Sequence, residues 1–382
     1  MTPSSHFPPD QIHSLNREVS LYLDVCRFLA AVMVFVSHAA NRQISGGFLW
    51  QIGGFGEDAV AVFFVLSGFV IGYVTDVRET DARSYAVNRL ARLYSVALPA
   101  LVLTFLLDAA GAALRPEFYS PAYIAYGAGD QPWRAATGLL FLNEIWNTHT
   151  VMGSNGPYWS MGFEAWYYIA FGLAVFGPAR WRIPACLLAL VIAGPKIAAL
   201  FPLWLGGVAL FHFMKRASLP AAMGWLLFLG GPVLFLAVHA LFAGSQGHMF
   251  APFAFTAERT QSVLYFTALG ALFAAHIAGF GAVSGAFAGI LNRHARVIRA
   301  VAGTTFALYL FHMPVMLFVA AVSPWDVSAW PTRLLVIIVP LAAVVALSFV
   351  TERRKDQWRG LFARVLRPPA AATPSGAPRR IS

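Results

Sequence analysis

The chain has 382 residues, of which 58% are apolar, 14% aromatic and only 12% charged, with a mean hydropathy of +0.65. Soluble domains carry about 25% charged residues, so a water-soluble globule of this size is excluded, and the abundant apolar and aromatic residues exclude disorder. What remains is an all-α, polytopic transmembrane bundle.

A spanning helix needs about 20 predominantly apolar residues. Ten such stretches follow one another: Leu21–Ala40, Ala59–Thr75, Leu93–Ala113, Tyr158–Phe176, Pro184–Leu200, Leu200–Met214, Ala221–Ala243, Thr260–Gly279, Arg299–Ala321 and Pro331–Val350. The fifth and sixth are short and meet at Phe201-Pro202, as one broken helix or as a tight hairpin. Gly138–Leu142 is a further short apolar run, read as re-entrant or interfacial. The sequence shows no internal repeat of fixed period.

With the amino terminus inside, most of the 27 Lys and Arg residues fall in inward segments, notably around Arg78–Arg92, Arg293–Arg299 and beyond Arg353. This asymmetry predicts both termini on the cytoplasmic side. It also explains the net charge of +10 without a nucleic-acid partner. Residues 1–20 are polar and lack the apolar core of a signal peptide; 21–354 form the membrane domain, and 355–382 a basic, Pro/Ala-rich cytoplasmic tail. Cys26 and Cys186 lie in apolar stretches and read as packing residues, and no metal site is expected.

Ionisable groups within spans are costly and mark functional sites. The first span holds Asp24, Arg27 and His38. Asp24 and Arg27, three apart, are spaced for a local ion pair. Arg27 and His38, eleven apart, share a helix face about 16 Å apart along the axis. Taken alone, His38 reads as a hydrogen-bonded core histidine. Three further groups are placed at similar outer depth: Asp58, able to orient an imidazole; Glu164, two turns into the fourth span; and His312 in the ninth. Together they predict a polar cavity. On the opposite side, Arg89 and Arg92 lie three apart on one helix face, spaced to clamp a phosphate, or simply to anchor the helix at anionic lipid. The long outer loop, about 114–157, carries Trp133, Asn143, Glu144, Trp146 and His149, and its length points to function.

Five segments in order resemble the membrane-bound acyltransferase 3 family, from Leu21 to about Arg354. They are the Arg27/His38 pair, Gly56-Glu57-Asp58 leading into Phe63-Phe64-Val65-Leu66-Ser67-Gly68-Phe69, Arg89/Arg92, Trp159-Ser160 followed by Glu164, and Tyr309-Leu310-Phe311-His312. Three departures stand out: Glu57 replaces a commonly apolar residue, Met161-Gly162-Phe163 replaces Leu-Ser-Val, and Thr351-Glu352-Arg353-Arg354 lacks a following proline.

The resemblance implies an inner-membrane enzyme that moves an acyl group, most often acetyl, from acyl-CoA to a hydroxyl of a carbohydrate or lipid-linked sugar. Acyl-CoA is then a co-substrate, with no permanently bound cofactor. On this reading His38 is the base oriented by Asp58, and Glu164 orients the acceptor or shares proton transfer. Arg27, Arg89 and Arg92 hold the donor, while Ser160, Trp159 and His312 line the substrate cavity. Direct transfer and an acyl-histidine intermediate both fit. The alternative is a proton-coupled transporter or flippase using the same His, Asp and Glu groups as a relay.

Overall fold

The computed structural model describes residues 16–119, 130–242 and 256–366. The expected tail beyond residue 366 and the polar segment before residue 16 lie outside the described residues. Helices α1 (Arg17–Ala39), α3 (Phe55–Val77) and α4 (Ala82–Leu114) are joined by short links that include the single turn α2 (Arg42–Ser45). Helices α5 (Gln131–Leu139), α6 (Trp159–Phe176), α7 (Arg182–Ala193) and α8 (Pro195–Arg216) follow, then α9 (Ala221–Phe242) and α10 (Ala257–Val283). The chain ends in α11 (Ala288–Ala302), α12 (Thr305–Val322), α13 (Trp330–Ser348) and α14 (Lys355–Val365). No strand occurs among the described residues.

Eight helical stretches are long and apolar enough to cross a membrane, and the protein is an integral membrane bundle. Helix α7 has only 12 residues, about 18 Å at the helical rise, short of the ~30 Å hydrocarbon core. The break expected at Phe201-Pro202 lies instead at Gly194. That residue adopts φ +91, and a Cβ there would fall 2.6 Å from the Trp146 backbone nitrogen. Pro202 sits within α8, whose freed backbone group can be satisfied by packed neighbours. Likewise Arg299–Ala302 close α11 rather than opening a span, and α12 starts after a break at Gly303-Thr304. The run at Gly138–Leu142 is the end of α5 and the turn that follows it.

Close backbone approach sets the core. Helices α3 and α8 pack where a Cβ on Gly68 would lie 1.9 Å from the Trp204 carbonyl oxygen, and one on Gly207 2.0 Å from that of Val65. Around this crossing, Trp204, Phe201, Tyr167 and Phe171 form a buried aromatic cluster. Helix α12, buried over most of its length, packs against α1, α4 and α13. Helix α9 packs chiefly on α10 and turns Leu226, Leu229, Val233 and Leu236 outward, the apolar face a bilayer would cover. The first residues of the expected tail are not loose. Helix α14 docks on α4, where Arg83 donates to the Ala363 and Leu366 carbonyls at 2.6 and 2.9 Å.

Candidate active site

Helix α1 presents Arg27 toward its start and His38 near its end, and each lines a different cavity. The arginine cavity, a slot of about 80 Å³, is walled by Arg27, Arg89, Arg92, Ser160, Glu164 and Glu352, among others. The histidine cavity, about 300 Å³, is walled by His38, Glu57, His149 and Trp159. The two share Val60 and Tyr309 as a partition. The Tyr309 hydroxyl is 2.8 Å from that of Ser160, so the partition is itself hydrogen-bonded.

His38 is held by His312, with Nδ1 of the former 2.9 Å from Nε2 of the latter. His312 is fully buried, and its Nδ1 lies 2.7 Å from the Leu308 carbonyl oxygen. A carbonyl only accepts, so His312 Nδ1 carries the hydrogen and its Nε2 carries a lone pair. His38 Nδ1 must then be the donor across the pair, which leaves the lone pair of neutral His38 on Nε2. The imidazole is thus oriented by a second imidazole, and His312 stands behind His38 instead of lining either cavity wall.

Asp58 is not the group that orients His38. It is almost fully buried, with Oδ2 2.5 Å from His239 Nδ1 and Oδ1 accepting from the Tyr265 hydroxyl at 2.7 Å. Phe55 stacks on His239 with ring centroids 3.8 Å apart. Asp58 therefore ties α3 to α9 and α10. The first turn of α3 places it one residue on from Glu57, about 100° around the helix, facing those helices rather than α1.

Glu164 also sits elsewhere than its sequence position suggests. It accepts from the Ser67 hydroxyl at 3.0 Å and from Tyr168, and lies 3.9 Å from Arg92 Nε. The reason is the depth at which α6 begins. The loop before it enters the bundle, with Asn155 and Tyr158 fully buried and the Asn155 amide donating to the Leu310 carbonyl at 2.9 Å and to Thr104. Two turns further on, Glu164 has reached the arginines. Trp159, at the start of α6, stays with His38.

The arginines are arranged as a cluster with counterions. Arg89 donates to Glu79 Oε1 at 2.7 Å and packs over the Tyr85 and Tyr168 rings. Arg92 lies over Phe306 and is 38% exposed, the most open of the three. Arg27 pairs with Asp24 at 3.2 Å, the local pair its spacing predicts, and Arg299 also donates to Asp24. A cavity holding three guanidinium groups suits a polyanionic ligand.

The sequence reading gave no role to Ser67, Tyr168, Glu79 or Tyr309, although Ser67 and Tyr309 lie within its motif segments. Tyr168 was legible as the i+4 neighbour of Glu164, and Ser67 as a polar residue inside an apolar run. No local signal marks Glu79.

The sequence model of the acyltransferase 3 family, an acyltransferase domain, matches residues 20–353. The chain belongs to the acyltransferase 3 family. Acyltransferase MdmB of Streptomyces mycarofaciens is 30% identical over 190 residues, 46% of this chain and 46% of that protein. The exopolysaccharide production protein ExoZ of Rhizobium meliloti (strain 1021) is 30% identical over 165 residues, 42% of this chain and 46% of its own. An O-acetyl transferase of Shigella phage Sf6 is 28% identical over 160 residues, 40% of this chain and 45% of its own. The aligned stretches span less than half of each relative. No solved structure matches the chain. Within this acyltransferase 3 chain, the five motif segments converge on the two adjoining cavities, except that Asp58 is turned away to α9 and α10.

Proposed function

We propose that this protein is an O-acyltransferase that takes an acyl group from acyl-CoA in the arginine cavity and passes it to a carbohydrate hydroxyl in the histidine cavity. One observation carries the reading: a cationic slot and an imidazole-bearing chamber meet at Val60 and Tyr309, within one bundle. The slot suits an extended thioester arm whose phosphates stay with Arg89 and Arg92. The chain's own bias of Lys and Arg toward inward segments supports placing that slot toward the cytoplasm, where acyl-CoA is made. Relatives named for O-acetyl transfer and exopolysaccharide production support acetyl as the group and a glycan as the acceptor.

The chemistry follows from the tautomer. The acceptor hydroxyl gives its proton to His38 Nε2 as its oxygen bonds to the thioester carbonyl carbon. The carbon–sulfur bond then breaks, and the imidazolium returns the proton to the leaving thiolate. His312 accepts from His38 Nδ1 throughout and keeps the ring aligned.

The transporter reading is less well served. A relay needs connected groups, whereas Asp58 is spent on His239 and Tyr265, and Glu164 lies with Arg92 beyond the Tyr309 partition. The test is transfer of label from acetyl-CoA to envelope glycan by membranes carrying the protein. Wild type should transfer, and His38→Ala, present at equal level, should lose about 100-fold or more of the rate. Full activity of folded His38→Ala would refute the assignment.

A further inference from the structure

The acceptor chamber carries a carboxyl group that none of the chemistry above employs. Glu57 lines the chamber with His38, and its Oε2 is buried with no hydrogen-bond partner among the described residues. A buried acceptor left unpaired costs about 1–3 kcal/mol, which a ligand that donates hydrogen bonds would relieve. Its neighbour Asp58 is already satisfied, so Glu57 is not the spare half of a structural pair.

A second wall element is built just as deliberately. His149 also lines the chamber, and its Nδ1 is 2.8 Å from Glu144 Oε1. Glu144 is fully buried and is held in turn by the buried Lys196, which also donates to the Thr148 carbonyl at 2.6 Å. This fixes His149 relative to the bundle by a chain of three polar groups. Trp159 completes the wall with an aromatic ring. Among the described residues no lysine or arginine lines the chamber; Arg42 stands in an adjoining cavity that shares Ser37, His38 and Gly53 with it.

We infer that Glu57, His149 and Trp159 form the subsite for the acylated sugar unit, and that this unit is not anionic. Its ring hydroxyls donate to the Glu57 carboxyl and meet the His149 ring, with Trp159 covering its apolar face. A uronic acid or phosphorylated sugar in the same place would set one acid against another, with no lysine or arginine among the described residues of the wall to compensate. Charged units of a longer glycan belong further out, toward Arg42.

The inference rests on the acyl-transfer reading, and the experiment separates the two. Envelope polysaccharide and glycolipid are purified from a deletion strain complemented with wild type, Glu57→Val or Glu57→Gln, and the gene-dependent ester is located by NMR. The purified full-length chains are titrated with acetyl-CoA and assayed for its cleavage. The ester should sit on a neutral or amino sugar. Its occupancy should fall about tenfold in Glu57→Val, less in Glu57→Gln, which keeps an acceptor oxygen, while acetyl-CoA binding by both variants stays within twofold of wild type. An ester on an anionic sugar, or full occupancy in Glu57→Val, overturns the subsite alone. No gene-dependent ester, together with uncleaved acetyl-CoA, overturns acyl transfer and the subsite with it.

Discussion

Replacing His312 by phenylalanine keeps an aromatic ring in the fully buried site and removes the acceptor for His38 Nδ1. The His38 hydrogen then points at a ring that cannot accept it. Leaving one such buried donor unpaired costs about 1–3 kcal/mol, and the ring can also rotate or change tautomer, moving its lone pair away from Nε2. At 1.4 kcal/mol per decade, the orienting loss alone is about 5- to 150-fold in kcat. Loss of the base itself, in His38→Ala, should cost about 10²–10⁴-fold, so His312→Phe should lie between wild type and His38→Ala. Because His312 reaches neither cavity, the KM for acyl-CoA should stay unchanged. The assay is initial-rate transfer of labelled acetyl groups to envelope glycan in membranes with matched protein levels. A double variant gives the sharper answer, since His312 acts only through His38. In a His38→Ala background, His312→Phe should cost nothing more. Wild-type kcat in His312→Phe, or full additivity in the double variant, would refute the orienting role.

Arg92→Ala should raise the KM for acyl-CoA about tenfold or more, with a smaller effect on kcat, because a charge-assisted bond to phosphate is worth about 1.5–3 kcal/mol; unchanged donor affinity would make the residue a lipid anchor only. Asp58→Asn should lower the thermal midpoint in detergent by weakening the bonds to His239 and Tyr265, yet leave the pH dependence of residual transfer unmoved; a shifted pH profile would restore Asp58 as the partner of His38. Gly68→Ala drives a Cβ to 1.9 Å from the Trp204 carbonyl and should cost about 1–3 kcal/mol or more of stability, read as a lower unfolding midpoint. Outside the spans, the Asp130 carboxyl is held below its ordinary range by its bond to Arg134, 2.7 Å away. A depressed folded value means the pair supports α5 above about pH 4 and loses that support as pH falls through the folded value. Protection of α5 against hydrogen exchange, corrected for the intrinsic rate at each pH, should therefore fall on acidification in wild type, and be insensitive to that step in Asp130→Asn.

How much of this was written in the sequence depends on what a linear pattern can encode. Apolar runs and arginine asymmetry place helices such as α1, α3 and α9 within a few residues, because burial in lipid demands length and composition alone. The pairing of Arg27 with His38 was legible for the same reason, since both lie on one helix with a fixed pitch. Glu164 was misplaced because its height within α6 says nothing about where α6 begins, and the buried entry loop around Asn155 lowers the whole helix. Asp58 was misassigned because its partner His239 comes from a helix 181 residues away. No spacing rule links those two, and His38, the nearer candidate by depth, is satisfied by His312 instead. The α7–α8 break was misjudged because a proline inside an apolar run reads as a stop, whereas packed membrane helices accommodate it and Gly194 makes the turn.

The partition between the two cavities carries the remaining argument. On the proposed reading, a soluble thioester and an extracytoplasmic alcohol have to be kept apart until they react, since an open channel would admit water to the thioester. Val60 and Tyr309 belong to both walls, and the Tyr309 hydroxyl bonds to Ser160 on the arginine side. Tyr309 and His312 are three apart on α12, so the residue that divides the cavities and the one that orients His38 ride on the same buried helix face. Any displacement of α12 that opened the partition would also strain the His38–His312 bond. Tyr309→Ala therefore should uncouple the enzyme: cleavage of acetyl-CoA to free acetate should rise relative to transfer. A transfer-to-hydrolysis ratio equal to that of wild type would show that Tyr309 is packing and that water is excluded by other means.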